Sequence, residues 1–116
     1  AEGEDTIRID QQRLSFSSHA APGDIPWGDL GVDLVLECTG KFLTPETIQG
    51  HLDRGAKRVI VAAPVKTGGV LNIVVGVNHT QYEPARDRIV TAACSPLRSL
   101  ANTMQQNFLT LFGIAK

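Results

Sequence analysis

The sequence predicts an α/β fold with a parallel sheet and an N-terminal β-hairpin, and three observations carry that reading. Val32-Asp33-Leu34-Val35-Leu36-Glu37 and Lys57 to Ala62 are apolar strand candidates with a helix signal between them. Strand, helix and strand at that spacing make a βαβ unit with parallel strands and a right-handed crossover. Asn72 to Val75 and Arg88 to Thr91 add two more strand candidates to the same sheet. Ahead of them, Thr6 to Ile9 and Leu14 to Ser18 are short β-prone runs, with Asp10-Gln11-Gln12-Arg13 as the turn of a hairpin.

The remaining segments follow local chemistry. HAAPGDIPWGDLG is rich in Pro and Gly and reads as irregular, with a helical turn around Trp27 to Leu30. Cys38-Thr39-Gly40-Lys41 is the loop after the first sheet strand. Thr44 caps the helix, Pro45 suits its first position and Glu46 complements the helix dipole. Ile48, His51 and Leu52 form its buried stripe, and Arg54-Gly55 ends it. Gly68-Gly69 reads as a flexible connection and Lys66 as a surface cation. Gly76-Val77-Asn78-His79 is a turn with His79 exposed. Leu97 to Leu109 or Leu111 reads as a second helix, with Leu97, Leu100, Met104, Phe108 and Leu111 near one face and Gly113 past its end.

Bulk composition narrows the function. The chain has 116 residues, enough for one domain with a modest core. Twelve acidic and eleven basic residues leave a net charge of -1 and no long run of one sign. That offers no electrostatic case for nucleic acid or an anionic membrane. No apolar stretch approaches the length of a membrane span, and AEGEDTIRID is not a signal peptide. Cys38 and Cys94 make neither a disulfide framework nor, with three histidines, a zinc signature. A reduced, cytoplasmic setting is the expectation.

In a parallel sheet ligands sit beyond the carboxyl ends of the strands. Thr39-Gly40, Ala62-Ala63-Pro64 and Cys94 are therefore expected at one edge. Cys94, in RIVTAACSPL, stands where a strand delivers a residue to a helix start. Such a thiolate is stabilised by free N–H groups and attacks aldehydes to give a thiohemiacetal. It needs a base, and no motif assigns His19, His51 or His79 to that task. The alternative is a small buried residue. Gly40 permits close approach of a ligand to the backbone, and Thr39 adds a hydroxyl; the alternative is an ordinary β-to-α turn. Neither a GxGxxG nor a Walker motif is present.

Longer motifs carry a family resemblance. Pro26 to Phe42 (PWGDLGVDLVLECTGKF), His51 to Pro64 (HLDRGAKRVIVAAP) and Val75 to His79 (VGVNH) resemble phosphorylating glyceraldehyde-3-phosphate dehydrogenase, in family order and spacing, from about Gly3 to Ala93. Erythrose-4-phosphate dehydrogenase shares this pattern. The resemblance implies the second half of a Rossmann-like NAD(P)-binding domain over residues 1–93, and a divergent start of the catalytic-domain helix over 94–116. It implies NAD or NADP as cofactor, with Thr39, Gly40, Ala63 and Pro64 lining the dinucleotide cleft, and homotetramers in the parent family.

Departures from the family pattern are local. Serine is usual where Cys38 and Ala62 stand. The family's Ser-Cys-Thr-Thr-Asn-Cys signature is replaced by Ala93-Cys94-Ser95-Pro96-Leu97. Cys94 aligns with the serine, with the nucleophile or with the second cysteine, depending on the gap. The family's glycine-rich turn and ribose-binding acid are expected before residue 1, and its base histidine and phosphate-binding arginine after residue 116. The chain is thus expected to be a fragment of an NAD(P)-dependent phosphorylating aldehyde dehydrogenase, inactive alone. The alternative is a small inactive homologue that binds dehydrogenase subunits or another partner. The sheet edge left open by absent strands is an expected route to self-association or aggregation.

Overall fold

The computed structural model describes residues 5–65, 68–74 and 76–92. Cys94, Lys66, Val75 and the expected helix Leu97–Leu111 lie outside them.

The hairpin pairs β1 (Thr6–Ile9) with β2 (Gln12–Ser15) antiparallel, in the register Ile7↔Leu14 and Ile9↔Gln12. The turn is tighter than expected and contains only Asp10 and Gln11. Asp10 takes φ 53°, a left-handed conformation that a short polar side chain tolerates. Phe16 N–H donates to the Asp5 carbonyl at 2.8 Å and continues the ladder. Alternation then places Ile7, Ile9, Leu14 and Phe16 on one face, all exposed.

Four further strands form one parallel sheet: β3 (Leu34–Glu37), β4 (Arg58–Val61), β5 (Leu71–Ile73) and β6 (Ile89–Ala92). Their spatial order is β3-β4-β6-β5, so β5 crosses to the outer side of β6. Each of these four strands is within two residues of its expected bounds, whereas β2 ends three residues before the expected Ser18. The helical turn expected around Trp27 to Leu30 is a single uncontinued one, closed by the Leu30 N–H donating to the Pro26 carbonyl at 3.1 Å, and a 3-10 turn at Pro22–Asp24 precedes it.

Helix α1 (Pro45–Asp53) connects β3 to β4. Thr44 Oγ1 accepts the Thr47 N–H, and Thr47 Oγ1 accepts the Thr44 N–H, a reciprocal cap in which threonine replaces the usual glutamate. The helix stops at Gly55, whose φ of +107° is open to glycine. It buries Ile48 against Val35, Val59 and Val61 on one face of the sheet. Ile60, Ile73 and Val90 make a second cluster on the other face. Because β4 is buried on both faces, its text reads as an unbroken apolar run.

Candidate functional site

The carboxyl ends of β3 and β4 lie side by side. Their pairing ends at Glu37↔Val61, and Ala62 N–H donates to the Glu37 carbonyl at 2.9 Å. The Thr39-Gly40 loop thereby leaves the sheet next to Ala63-Pro64. Cys38, Thr39, Gly40, Ala62 and Pro64 are exposed, and Ala63 is half-buried. Gly40 has φ +70°, and a Cβ there would meet nothing within 4 Å. The turn is thus an open ledge beside the β4 end. Neighbouring β6 ends at Ala92, but Cys94 lies beyond the described residues, and its place at this edge stays an expectation.

Under the ledge runs a polar chain that the sequence did not announce. Glu37 and His51 are 4% and 3% exposed, yet every buried polar side-chain atom among the described residues has a partner. Glu37 Oε1 accepts the Thr39 backbone N–H at 2.8 Å and also the Thr39 hydroxyl. Glu37 Oε2 faces His51 Nε2 at 3.0 Å. His51 Nδ1 accepts the indole N–H of Trp27 at 3.0 Å. Since Nδ1 is an acceptor, the neutral imidazole carries its proton on Nε2 and donates it to Glu37.

Burial pulls the Glu37 carboxyl up, but hydrogen bonds from the Thr39 side chain, the Thr39 backbone and His51 outweigh it. The net effect holds the carboxyl below its ordinary value. His51 sits on the buried stripe of α1, as expected, and both of its ring nitrogens are taken up in this chain, by Trp27 and Glu37. An acid ending an apolar strand, with a histidine on the facing helix stripe, was the only signal for the pair.

His79 differs from expectation. It is half-buried rather than exposed, starts a 3-10 turn (His79–Gln81), and accepts the Gly76 N–H on Nδ1 at 2.9 Å. Asn78 Oδ1 accepts the Val74 N–H at 2.7 Å, and its amide donates to the Asn72 carbonyl at 2.8 Å. These contacts tie the loop after β5. Among the described residues no group of His, Cys, Asp and Glu is arranged to hold a metal, and no helix is long and apolar enough to cross a membrane.

Comparison with known proteins agrees with this architecture. Residues 1–45 match the family described as glyceraldehyde 3-phosphate dehydrogenase, NAD binding domain. The chain is 54% identical over 101 residues to glyceraldehyde-3-phosphate dehydrogenase 3 of Nostoc sp., covering 87% of this chain and 29% of that protein. It is 38% identical over 114 residues to the glyceraldehyde-3-phosphate dehydrogenase of Streptomyces coelicolor, covering 96% and 34%. Against that of Mycolicibacterium smegmatis the identity is 40% over 116 residues, covering 97% and 34%. The chain spans about a third of the length of the curated relatives it matches. With its parallel sheet and partial Rossmann-like layout, the chain is similar over most of its length to about a third of a glyceraldehyde-3-phosphate dehydrogenase.

Proposed function

We propose that this chain is the second half of the NAD(P)-binding domain of a phosphorylating, aldehyde-oxidising dehydrogenase, over residues 1–93, followed by a divergent start of the catalytic-domain helix. The observation that carries the reading is the 54% identity to a glyceraldehyde-3-phosphate dehydrogenase over 87% of the chain. In this reading Thr39, Gly40, Ala63 and Pro64 line one wall of the dinucleotide cleft. Their geometry supports it: the exposed Thr39-Gly40 turn and the β4 end lie at the carboxyl edge of adjacent parallel strands. A bound nicotinamide cofactor supplies the hydride acceptor. What these residues contribute is a ledge with backbone access at Gly40.

Cys94 is assigned as the candidate nucleophile of the parent reaction. The chain alone is inactive in this proposal, because a thiolate without a base and one wall of a cleft lack the positioning on which rate depends. The test is an assay of the purified chain for NAD and NADP reduction with glyceraldehyde 3-phosphate and phosphate, alongside titration with each dinucleotide. The expected result is dinucleotide binding without turnover. Turnover at a rate ordinary for enzymes, about 1–1000 per second, would overturn the claim of inactivity. Absence of binding to either dinucleotide would overturn the cleft assignment.

A further inference from the structure

Thr39 is the polar side chain of the proposed ledge, and its hydrogen-bonding capacity can be counted. A threonine has one backbone N–H donor, one hydroxyl donor and two hydroxyl lone pairs. Both donors go to the same oxygen, Oε1 of Glu37. One lone pair accepts the Lys41 N–H at 3.2 Å. Thr39 therefore presents one acceptor position on its hydroxyl and no donor. The carboxylate that takes those donors is itself held in place: Oε2 receives His51 Nε2–H, and the ring is fixed by Trp27. Glu37 cannot swing away without leaving a buried histidine unpaired, which costs more than an ordinary hydrogen bond is worth.

We propose that Glu37 is a positioning residue: by holding both donors of Thr39 it makes this contact of the ledge acceptor-only. The ledge then takes a hydrogen-bond donor of the ligand at Thr39 and rejects a phosphate oxygen. A phosphate oxygen needs donors, and here it would meet a lone pair with a carboxylate charge behind it. This inference rests on the cofactor reading for its ligand, and on hydrogen-bond geometry alone for the state of Thr39.

The test uses the full 116-residue chain, labelled with 15N, and two probes, NAD and inorganic pyrophosphate. NAD should shift the Thr39 and Gly40 amide resonances, and pyrophosphate should leave that of Thr39 in place. In Glu37→Gln the Thr39 amide should exchange about tenfold faster, the margin of a charge-assisted hydrogen bond over a neutral one. The Val59 and Val61 amides in β4 should keep their protection, which separates this from general unfolding. The same variant should gain a pyrophosphate response at Thr39, a swing in preference that a merely structural role does not produce. A pyrophosphate shift at Thr39 in the unmodified chain would overturn the inference and leave the cofactor reading standing. No shift with either probe would overturn the cofactor reading and the ligand assignment with it. Unchanged Thr39 exchange in a folded Glu37→Gln chain would overturn the positioning role whatever the probes do.

Discussion

Trp27 donates its indole N–H to Nδ1 of His51 at 3.0 Å, with the two ring centroids 5.9 Å apart. The contact joins the loop before β3 to the buried face of α1 and sets the tautomer on which the Glu37 contact depends. Trp27→Phe keeps an aromatic ring in place but leaves a buried ring nitrogen without its donor. The expected loss is about 1–3 kcal/mol, read from urea denaturation followed by circular dichroism, because Trp27 is the single tryptophan. Nitrogen NMR of the unmodified chain should show Nδ1 unprotonated. A proton found on Nδ1 would sink the hydrogen-bond chain as drawn.

Acid should weaken the fold through two buried carboxylates. Glu37 is held below its ordinary value by the balance described above. Asp87 is lowered first by hydrogen bonds from Arg86, against the upward pull of burial, and then by the Glu83 N–H. Both groups release protons more readily when folded than when unfolded. Their stabilisation is therefore complete above the unfolded carboxylate pKa, about 4, and disappears as pH falls through the lower folded values. Urea midpoints should drop steeply below about pH 4, and Asp87→Asn should flatten that limb. A midpoint unchanged from neutral pH to about pH 3 would contradict the assignment.

Different parts of this molecule were legible in the sequence for different physical reasons. The β3–α1–β4 unit could be read because its signals are local: Thr44 and Pro45 mark the helix start, Gly55 its end, and the strands are continuous apolar runs. The sheet order could not, since a three-residue β5 carries no mark saying which side of β6 it joins. The Thr39-Gly40 ledge was visible as a loop after a strand. The fate of Thr39's donors was not, because it depends on Glu37 turning inward to a histidine fourteen residues away. An acid at a strand end and a histidine on a helix stripe each have an ordinary separate reading, and only the packing pairs them. His79 failed for a similar reason: its half-buried place is set by the Gly76 N–H in a turn, while the sequence shows only a polar residue in a loop.

Gly55 tests a second contact between the same elements. Its Cβ, if present, would lie 2.6 Å from the Gly28 Cα and 2.8 Å from the Gly28 nitrogen, at a φ of +107°. Gly28 N–H in turn donates to the Arg54 carbonyl at 2.8 Å, so backbone would have to move. Gly55→Ala should cost about 2–4 kcal/mol, combining strain and overpacking. Gly31 has φ +67° with open space around its Cβ position, so Gly31→Ala should cost about 1–2 kcal/mol, the conformational part alone. Equal losses in denaturation would mean that the Gly28–Gly55 approach is not what excludes a side chain.

The two faces of β3 should respond in opposite ways to truncation. Val35 is buried against α1, beside Ile48, which is 0% exposed. Leu36, pointing the other way, is 64% exposed on a strand whose described pairing is with β4 alone. Ile48→Ala removes a fully enclosed side chain and should cost about 2–5 kcal/mol. Leu36→Ala removes little enclosed surface and should stay within about 0.5 kcal/mol. Both are measured by urea denaturation at two protein concentrations well apart. A large, concentration-dependent loss for Leu36→Ala would show that a second copy of the chain covers this face in solution. A large loss independent of concentration would show that the chain itself covers it, contrary to the exposure seen at Leu36.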